Sequence, residues 1–155
     1  MIAKNQPPIN LLVRLPISGK AIAEIVDLHN AIADLHGSVW FGVRGRAPSE
    51  ERQAWLTSQA NRGITTYLYL LQREKRQFIG FRAFLNKVVE SMPESSLIPT
   101  YYNNSDLKES AVLWANVQRF RRIDGTTISS LRVVSTGSPL EEVLSRSMAC
   151  VMLVS

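Results

Sequence analysis

The chain has 155 residues, of which 45% are hydrophobic, and its formal net charge is +5 at pH 7. This is the size of one ordinary domain with a sizeable core, so we expect residues 1–155 to form a single domain that folds without disulfides or metal. The apolar runs are short, and the first eight residues lack the pattern of a signal peptide, which argues against a membrane helix and against secretion. The single Cys150 cannot form an internal disulfide. We therefore expect a cytoplasmic protein with no membrane association.

The sequence pattern of the first half of the chain predicts alternating strands and helices. Residues 9–15 form a short apolar run that ends at a proline, which predicts a strand. From residue 22 an apolar stripe with helical spacing continues to Gly37, a residue type that commonly ends helices. The stripe consists of Ile25, Leu28, Ile32 and Leu35. Residues 38–43 predict a second strand, and Pro48 begins a second helix that ends near residue 63.

The second half predicts mainly strands. Residues 64–71 and 77–89 are rich in β-branched and aromatic residues and flank a charged turn, which is typical of an antiparallel hairpin. We expect Gly80 to lie at a bulge or at a close approach. A polar loop follows over residues 90–109, and a loop this long is usually functional or disordered. The remaining elements are a strand over 111–123, a capped helix from Ser138 and a strand over 149–154. This order predicts an α+β fold.

The excess positive charge lies in one part of the chain. Residues 37–89 hold nine basic and three acidic residues, a net charge of +6, whereas the rest holds nine basic and ten acidic residues. Arginine outnumbers lysine in that segment, and its guanidinium suits forked contacts to phosphates and bases. The distribution favours a polyanionic partner, with nucleic acid as the first expectation.

Trp40 stands at the head of a predicted strand in this basic segment. There its indole either fills the core or forms one wall of a flat pocket, and the residues alone leave both readings open. Trp55 and Trp114 are assigned to the core.

Catalytic motifs are missing from the sequence. It has no Gly-x-Ser-x-Gly elbow, no Walker loop and no paired-cysteine zinc spacing. His29 and His36 are seven residues apart on one predicted helix, and we interpret them as exposed helix positions rather than metal ligands. We expect a non-catalytic domain that holds no metal and no cofactor.

The order of these elements resembles the YTH and EVE branches of the PUA-like superfamily. The residues that carry the resemblance are Val39-Trp40 after the first helix, Tyr67-Leu-Tyr-Leu70 in the first arm of the hairpin, and Phe78-Ile-Gly-Phe81 in the second. The similarity covers roughly residues 9–147. It implies a small mixed β-barrel, PUA-like or YTH-like, flanked by helices. In that superfamily a modified base is taken out of a nucleic acid and held in an aromatic cage, and relatives serve as DNA-reading domains of modification-dependent restriction proteins of the McrBC type.

Carried over to this chain, the resemblance implies a base-binding site. Trp40 would form one wall of the cage, and the backbone of Phe41 or Gly42 would meet the base edge. The loop after the hairpin offers Tyr101 and Tyr102 as further walls. Asn103 in the same loop could donate and accept hydrogen bonds at a base edge.

Phosphate contacts are expected from basic residues at a strand end and at the hairpin tip, because both can reach a backbone beside the pocket. These candidates are Arg44, Arg46, Arg73, Lys75 and Arg76. The resemblance favours DNA over RNA as the partner. It also implies that the chain reads modified bases for a restriction or defence protein, fused to or assembled with an AAA+ motor and a nuclease.

Three other interpretations stay open. The chain could be an RNA-binding reader of the same superfamily. It could be a hydrolase of the related ASCH type that acts on RNA or a nucleoside. It could also be a protein-interaction module of a larger assembly.

Overall fold

The structure is a computed structural model and describes residues 8–104 and 107–155. The strands are β1 (Asn10–Leu15), β2 (Val39–Val43), β3 (Tyr67–Glu74), β4 (Gln77–Val89), β5 (Leu113–Val117), β6 (Arg121–Ile123) and β7 (Val151–Val154). The helices are α1 (Ile22–His36), α2 (Glu50–Asn61), α3 (Leu107–Ser110), α4 (Gly125–Ser130) and α5 (Leu140–Arg146), with a short 3-10 helix over Thr100–Asn104. In the described part of the chain, no helix combines the length and the apolar character that a membrane crossing requires.

All seven strands belong to one mixed sheet. Its order is β2-β5-β4-β3-β1-β7, and β6 pairs with β4. The pairing of β1 with β3 is parallel, and the other pairings are antiparallel. The α+β class is therefore confirmed. The sheet is open, because no ladder joins β2 to β7 within residues 8–104 and 107–155, so a closed barrel is not established.

Both faces of the sheet are covered. One face packs against α1 and α2 in a core that includes Leu11, Phe41 and Leu56. The other face packs against α4 and α5, where Leu12 and Leu71 belong to a second core. β1 and β3 are consequently buried on both faces over residues 11–13 and 68–72.

Helix α1 has the expected bounds but presents a different face to the core. Leu35 is 82% exposed and Leu28 is 36% exposed, although the stripe predicted both inside. His29 is completely buried instead, so its prediction as an exposed position was wrong. The buried stripe follows the spacing Ile25, His29 and Ala33. Polar residues occupy this stripe because each finds a partner inside the core.

The predicted strand over residues 111–123 is divided in two. β5 and β6 pair with different parts of β4, and the break lies at residues 118–120. Asn30 on α1 explains the break, since its side chain accepts a hydrogen bond from Phe120 N at 2.8 Å and donates one to Phe120 O at 3.0 Å. These two bonds take the place of ladder bonds and hold the Phe120 ring in the core. Helix α4, which the sequence analysis missed, follows Asp124, whose side chain accepts from Thr127 N.

The hairpin of β3 and β4 is confirmed, with Lys75 in a left-handed conformation (φ 56°) in its turn. Gly80 lies at a close approach, as expected. A Cβ atom there would lie 2.8 Å from Leu71 Cδ2 and 3.0 Å from two side-chain carbons of Ile123. Only glycine lets β4 pack at this distance against the second core.

We expect Gly80→Ala to lower the free energy of unfolding by about 1–3 kcal/mol, because the added methyl overfills a packed site. Urea unfolding followed by circular dichroism measures this. Gly125→Ala is the matched control, since no atom lies within 4 Å of a Cβ at that position. Its unfolding free energy should stay within about 0.5 kcal/mol of the original chain. Equal stability of the two variants would show that the Leu71 and Ile123 side chains give way.

Candidate functional site

A pocket of about 610 Å³ opens where the ends of β1 and β2 lie near each other without pairing. The loop between β1 and α1 forms one side, and the 3-10 helix forms the other. Its apolar lining comes from Val13, Leu15, Ile25 and Phe41, and its polar lining from Arg14, Lys20, Arg44, Gly42, Tyr101 and Tyr102. This volume lies within the ~300–1,000 Å³ typical of small-ligand sites.

The pocket exists because β2 is an edge strand. Among the strands that the structure describes, β2 pairs with β5 alone, on one side. On the other side Trp40 N donates to Leu97 O at 2.9 Å, and Gly42 N donates to the Tyr102 hydroxyl at 2.9 Å. In an antiparallel strand the carbonyl of a residue points to the same side as its own N–H. The carbonyl of Gly42 therefore belongs to this unpaired edge as well.

A buried chain of hydrogen bonds connects the edge of β2 to α1. His29 Nδ1 lies 2.7 Å from Ile25 O, so this nitrogen must carry the proton and donate it. In neutral His29 the other nitrogen, Nε2, is then an acceptor, and the Tyr102 hydroxyl donates to it at 3.0 Å. The same hydroxyl accepts from Gly42 N. Each donor in this series of three hydrogen bonds therefore has an acceptor.

Burial keeps the side chains of His29 and Tyr102 neutral. It raises the pKa of Tyr102 well above the ordinary value. Burial also lowers the pKa of His29 to about 4, against the raising effect of the bond to Ile25. Tyr102 is therefore a fixed structural element, and only 1% of it is exposed.

Tyr101 presents an aromatic ring to the pocket. Its ring stacks on that of Tyr102, with centroids 4.4 Å apart and planes 27° apart. Burial raises the pKa of the Tyr101 hydroxyl, while a hydrogen bond to Tyr102 and the charge of Arg44 oppose the rise. Because Tyr101 is only partly buried, its ring can contact a ligand.

The cations at the pocket differ in how firmly they are held. Arg14 Nη1 donates to Ser147 O at 2.7 Å, and its guanidinium lies 5.5 Å from the centre of the Phe78 ring. Lys20 is exposed and forms an ion pair with Glu24 at 3.4 Å. Arg44 is exposed at the end of β2. Positive charge therefore rims an otherwise apolar pocket.

Gln72 fixes the loop between β1 and α1, a role that the sequence analysis did not foresee. Its Oε1 accepts from Ile22 N at 2.8 Å, and its Nε2 donates to Lys20 O at 2.9 Å and to Pro16 O at 3.1 Å. A buried glutamine in the apolar run of β3 was the available signal. The exposed hairpin tip, with Arg73, Lys75 and Arg76, follows directly after Gln72.

Five of the predicted site residues line this pocket: Phe41, Gly42, Arg44, Tyr101 and Tyr102. The other candidates lie elsewhere.

Asn103 is exposed and accepts a hydrogen bond from Lys108 Nζ at 3.3 Å. Arg46 lines a separate hollow together with Arg52.

Trp40 does not line the pocket. Side chains alternate between the two faces of a strand, so Trp40 points away from the face that carries Phe41. Its ring packs with Tyr102 and Trp114 in a third apolar cluster, and only 7% of the residue is exposed. Leu97, whose carbonyl oxygen accepts a hydrogen bond from Trp40 N, packs against the same cluster. Trp40 therefore packs against Tyr102 and does not form a wall of the pocket.

The part of the chain that the structure describes holds no group of three or more His, Cys, Asp or Glu side chains arranged to bind a metal ion.

Comparisons of the chain with models of protein families, with curated proteins and with solved structures find no match.

We expect acid to destabilise the fold through His29. The unfolded chain takes up a proton on His29 below the ordinary pKa of 6.5, whereas the folded chain resists protonation until about pH 4. The stability from neutral His29 is therefore complete above pH 6.5 and decreases as the pH falls towards 4. Between pH 7 and pH 5 the loss should be about 2 kcal/mol in urea unfolding.

His29→Gln should reduce this pH dependence, because it removes the titrating group. His36→Gln is the control, since His36 is exposed on the same helix and should leave the dependence unchanged. If the free energy of unfolding of His29→Gln decreases by the same amount between pH 7 and pH 5, protonation of His29 is not the cause.

Proposed function

We propose that the pocket between β1 and β2 binds one planar base displaced from a nucleic acid, and that the chain is a non-catalytic reader of a modified base. The observation that carries the proposal is the combination of an aromatic wall, an unpaired strand edge and a cationic rim in one pocket. These are the three components that base recognition requires: stacking, hydrogen bonding and phosphate contact.

Tyr101 is the proposed stacking partner in place of Trp40. Displacing a base from a duplex costs a few kcal/mol, and stacking on an aromatic ring returns ~1–3 kcal/mol. The stack of Tyr101 on Tyr102 keeps the Tyr101 ring in place, so little entropy is lost on binding. Phe41 also lines the pocket and contributes apolar contact. A methyl group on the base would add about 0.8 kcal/mol if it were fully buried.

The hydrogen-bonding groups of the proposed site come from the backbone and from one phenol. The carbonyl of Gly42 lies on the unpaired edge of β2, where it can accept from an exocyclic amino group of a base. The hydroxyl of Tyr101 is the second polar group at the pocket. A strand edge is a suitable reader because its groups are fixed in direction before the ligand arrives.

Phosphates would be held around the pocket mouth. Arg44 and Lys20 line the pocket, and Gln72 places the basic hairpin tip beside the loop that carries Lys20. Arg46 lies further along the chain from β2 and would contact more distant phosphates. Such contacts supply affinity that depends on salt but not on sequence.

The small mixed barrel is also part of the proposal. Directly after β2 the chain approaches the other edge of the sheet: a Cβ atom on Gly45 would lie 3.3 Å from Cys150 Cβ and 3.4 Å from Val151 Cγ2. Gly45 has φ +102°, a conformation that favours glycine. Cys150 also lines the pocket, and we propose that this contact closes the barrel beside the pocket without a hydrogen-bonded ladder. A cytoplasmic location, DNA as the preferred partner, and assembly with a motor and a nuclease are retained as parts of the same proposal.

We expect Tyr101→Ala to weaken binding to a duplex with the cognate modified base by roughly 5- to 150-fold, as the loss of one stacked ring predicts. Binding to the unmodified duplex should change little, because it depends on phosphate contacts. Tyr101→Phe keeps the ring and should retain most of the preference. Fluorescence anisotropy with matched methylated, hydroxymethylated and plain duplexes measures these affinities.

Arg44→Gln is the complementary variant. It should weaken binding to modified and plain duplexes equally, and it should lower the slope of log K against log salt by about 0.9. The reading function is refuted if the chain binds all duplexes alike and Tyr101→Ala weakens them equally.

A further inference from the structure

An aromatic pair lies on the sheet at a distance from the pocket. Tyr67 on β3 and Phe84 on β4 are directly opposite each other in the ladder. Their rings stack with centroids 5.3 Å apart and planes 23° apart. Phe84 is 45% exposed, although such a ring is usually buried. Neither fold nor pocket accounts for this exposed ring.

Arg82 completes what we call the aromatic platform, defined by Tyr67, Arg82 and Phe84. The guanidinium of Arg82 lies 4.3 Å from the centre of the Tyr67 ring, in the geometry of a cation–π contact. Burial raises the pKa of the Tyr69 hydroxyl, and the neighbouring Arg82 side chain opposes this rise. The cation–π contact therefore holds Arg82 beside the ring pair.

The charges around the platform are positive. Arg121 on β6 pairs in register with Arg82 and therefore lies on the same face of the sheet, whereas Arg122 pairs with Phe81 on the opposite face. Arg121 is exposed and is not ion-paired to another described residue. Arg119 differs, because it forms an ion pair with Asp34 at 2.6 Å.

A polar hollow lies on the other side of Phe84. Its volume is about 290 Å³, and Thr65, Asn86 and Gln118 contribute to its lining. Gln118 Nε2 donates to Asn86 Oδ1 at 3.2 Å, which arranges the two amides side by side. Amide groups beside an exposed ring suit the polar edge of a base.

We propose that the aromatic platform binds single-stranded nucleic acid, with one base stacked on Phe84 and the adjacent phosphates on Arg121. Stacking on aromatic rings tolerates any base, and arginine contacts follow the backbone, which is how single strands are held without sequence preference. An apolar partner is disfavoured, because arginine and amide side chains flank the pair of Tyr67 and Phe84 rings. The other exposed large hydrophobic residues of the described chain lie on other elements.

The platform is separate from the pocket. Tyr67 begins β3 and Gln72, which holds the pocket loop, lies five residues further along, about 17 Å away at ~3.3 Å per residue of strand. A strand bound at the platform would therefore leave the pocket free. The two sites can be tested independently.

We expect Phe84→Ala to weaken binding of a fluorescent twelve-residue oligothymidine by roughly 10-fold, with the salt dependence unchanged. Arg121→Gln should weaken it too, and should lower the slope of log K against log salt by about 0.7. Leu35→Ala is the matched control, since Leu35 is an exposed apolar residue on α1 and should not affect binding. Tyr101→Ala reports on the pocket, and its effect on oligothymidine affinity should be smaller than that of Phe84→Ala.

Unchanged oligothymidine binding in Phe84→Ala, with the variant folded by circular dichroism, would overturn the proposal. So would a weakening by Tyr101→Ala as large as that by Phe84→Ala, because the strand would then enter the pocket. Vesicles of anionic phospholipid give a third arm. If Phe84→Ala abolished binding to vesicles but not to the oligonucleotide, the platform would be a lipid contact instead.

Discussion

The hydroxyl of Tyr102 is the interaction on which the site depends. It accepts from Gly42 N at 2.9 Å and donates to His29 Nε2 at 3.0 Å, so one atom joins β2, α1 and the 3-10 helix. A buried hydroxyl without these partners would destabilise the core by about 1–3 kcal/mol. With them, the loop after the hairpin is held against the edge of β2. That position in turn places the Tyr101 ring at the pocket.

The bond from Gly42 N to the Tyr102 hydroxyl also explains why a pocket, and not a further strand, lies beside the outer edge of β2. The N–H groups of Trp40 and Gly42 on the outer edge of β2 bond to the loop, and no other strand of residues 8–104 and 107–155 pairs there. An edge covered in this way is protected from pairing with other chains. On the opposite side of the pocket, Gln72 holds the loop between β1 and α1 with three hydrogen bonds. Two fixed walls and an unfilled gap between them are suited to a ligand that enters without rearranging the fold.

Local patterns predicted the elements better than they predicted the faces. The hairpin, the first two helices and β2 follow from turn residues and periodicity, which act over a few residues. The burial of His29 depends on Tyr102, 73 residues away, and no local pattern contains that partner. Likewise β2 is apolar on both faces, so the sequence could not decide whether Trp40 or Phe41 lines a pocket. Phe41, Gly42 and Tyr101 line one pocket, but the face on which Trp40 lies depends on the whole sheet.

Amide chemical-shift mapping by NMR tests the central claim most directly. The isotope-labelled chain would be titrated with a duplex that holds one modified base and, separately, with its plain counterpart. We expect the difference between the two titrations to be concentrated at residues 16–20, at residues 41–44 and at Tyr101. A difference spread evenly over the basic surface, or confined to the exposed face of α1, would contradict it.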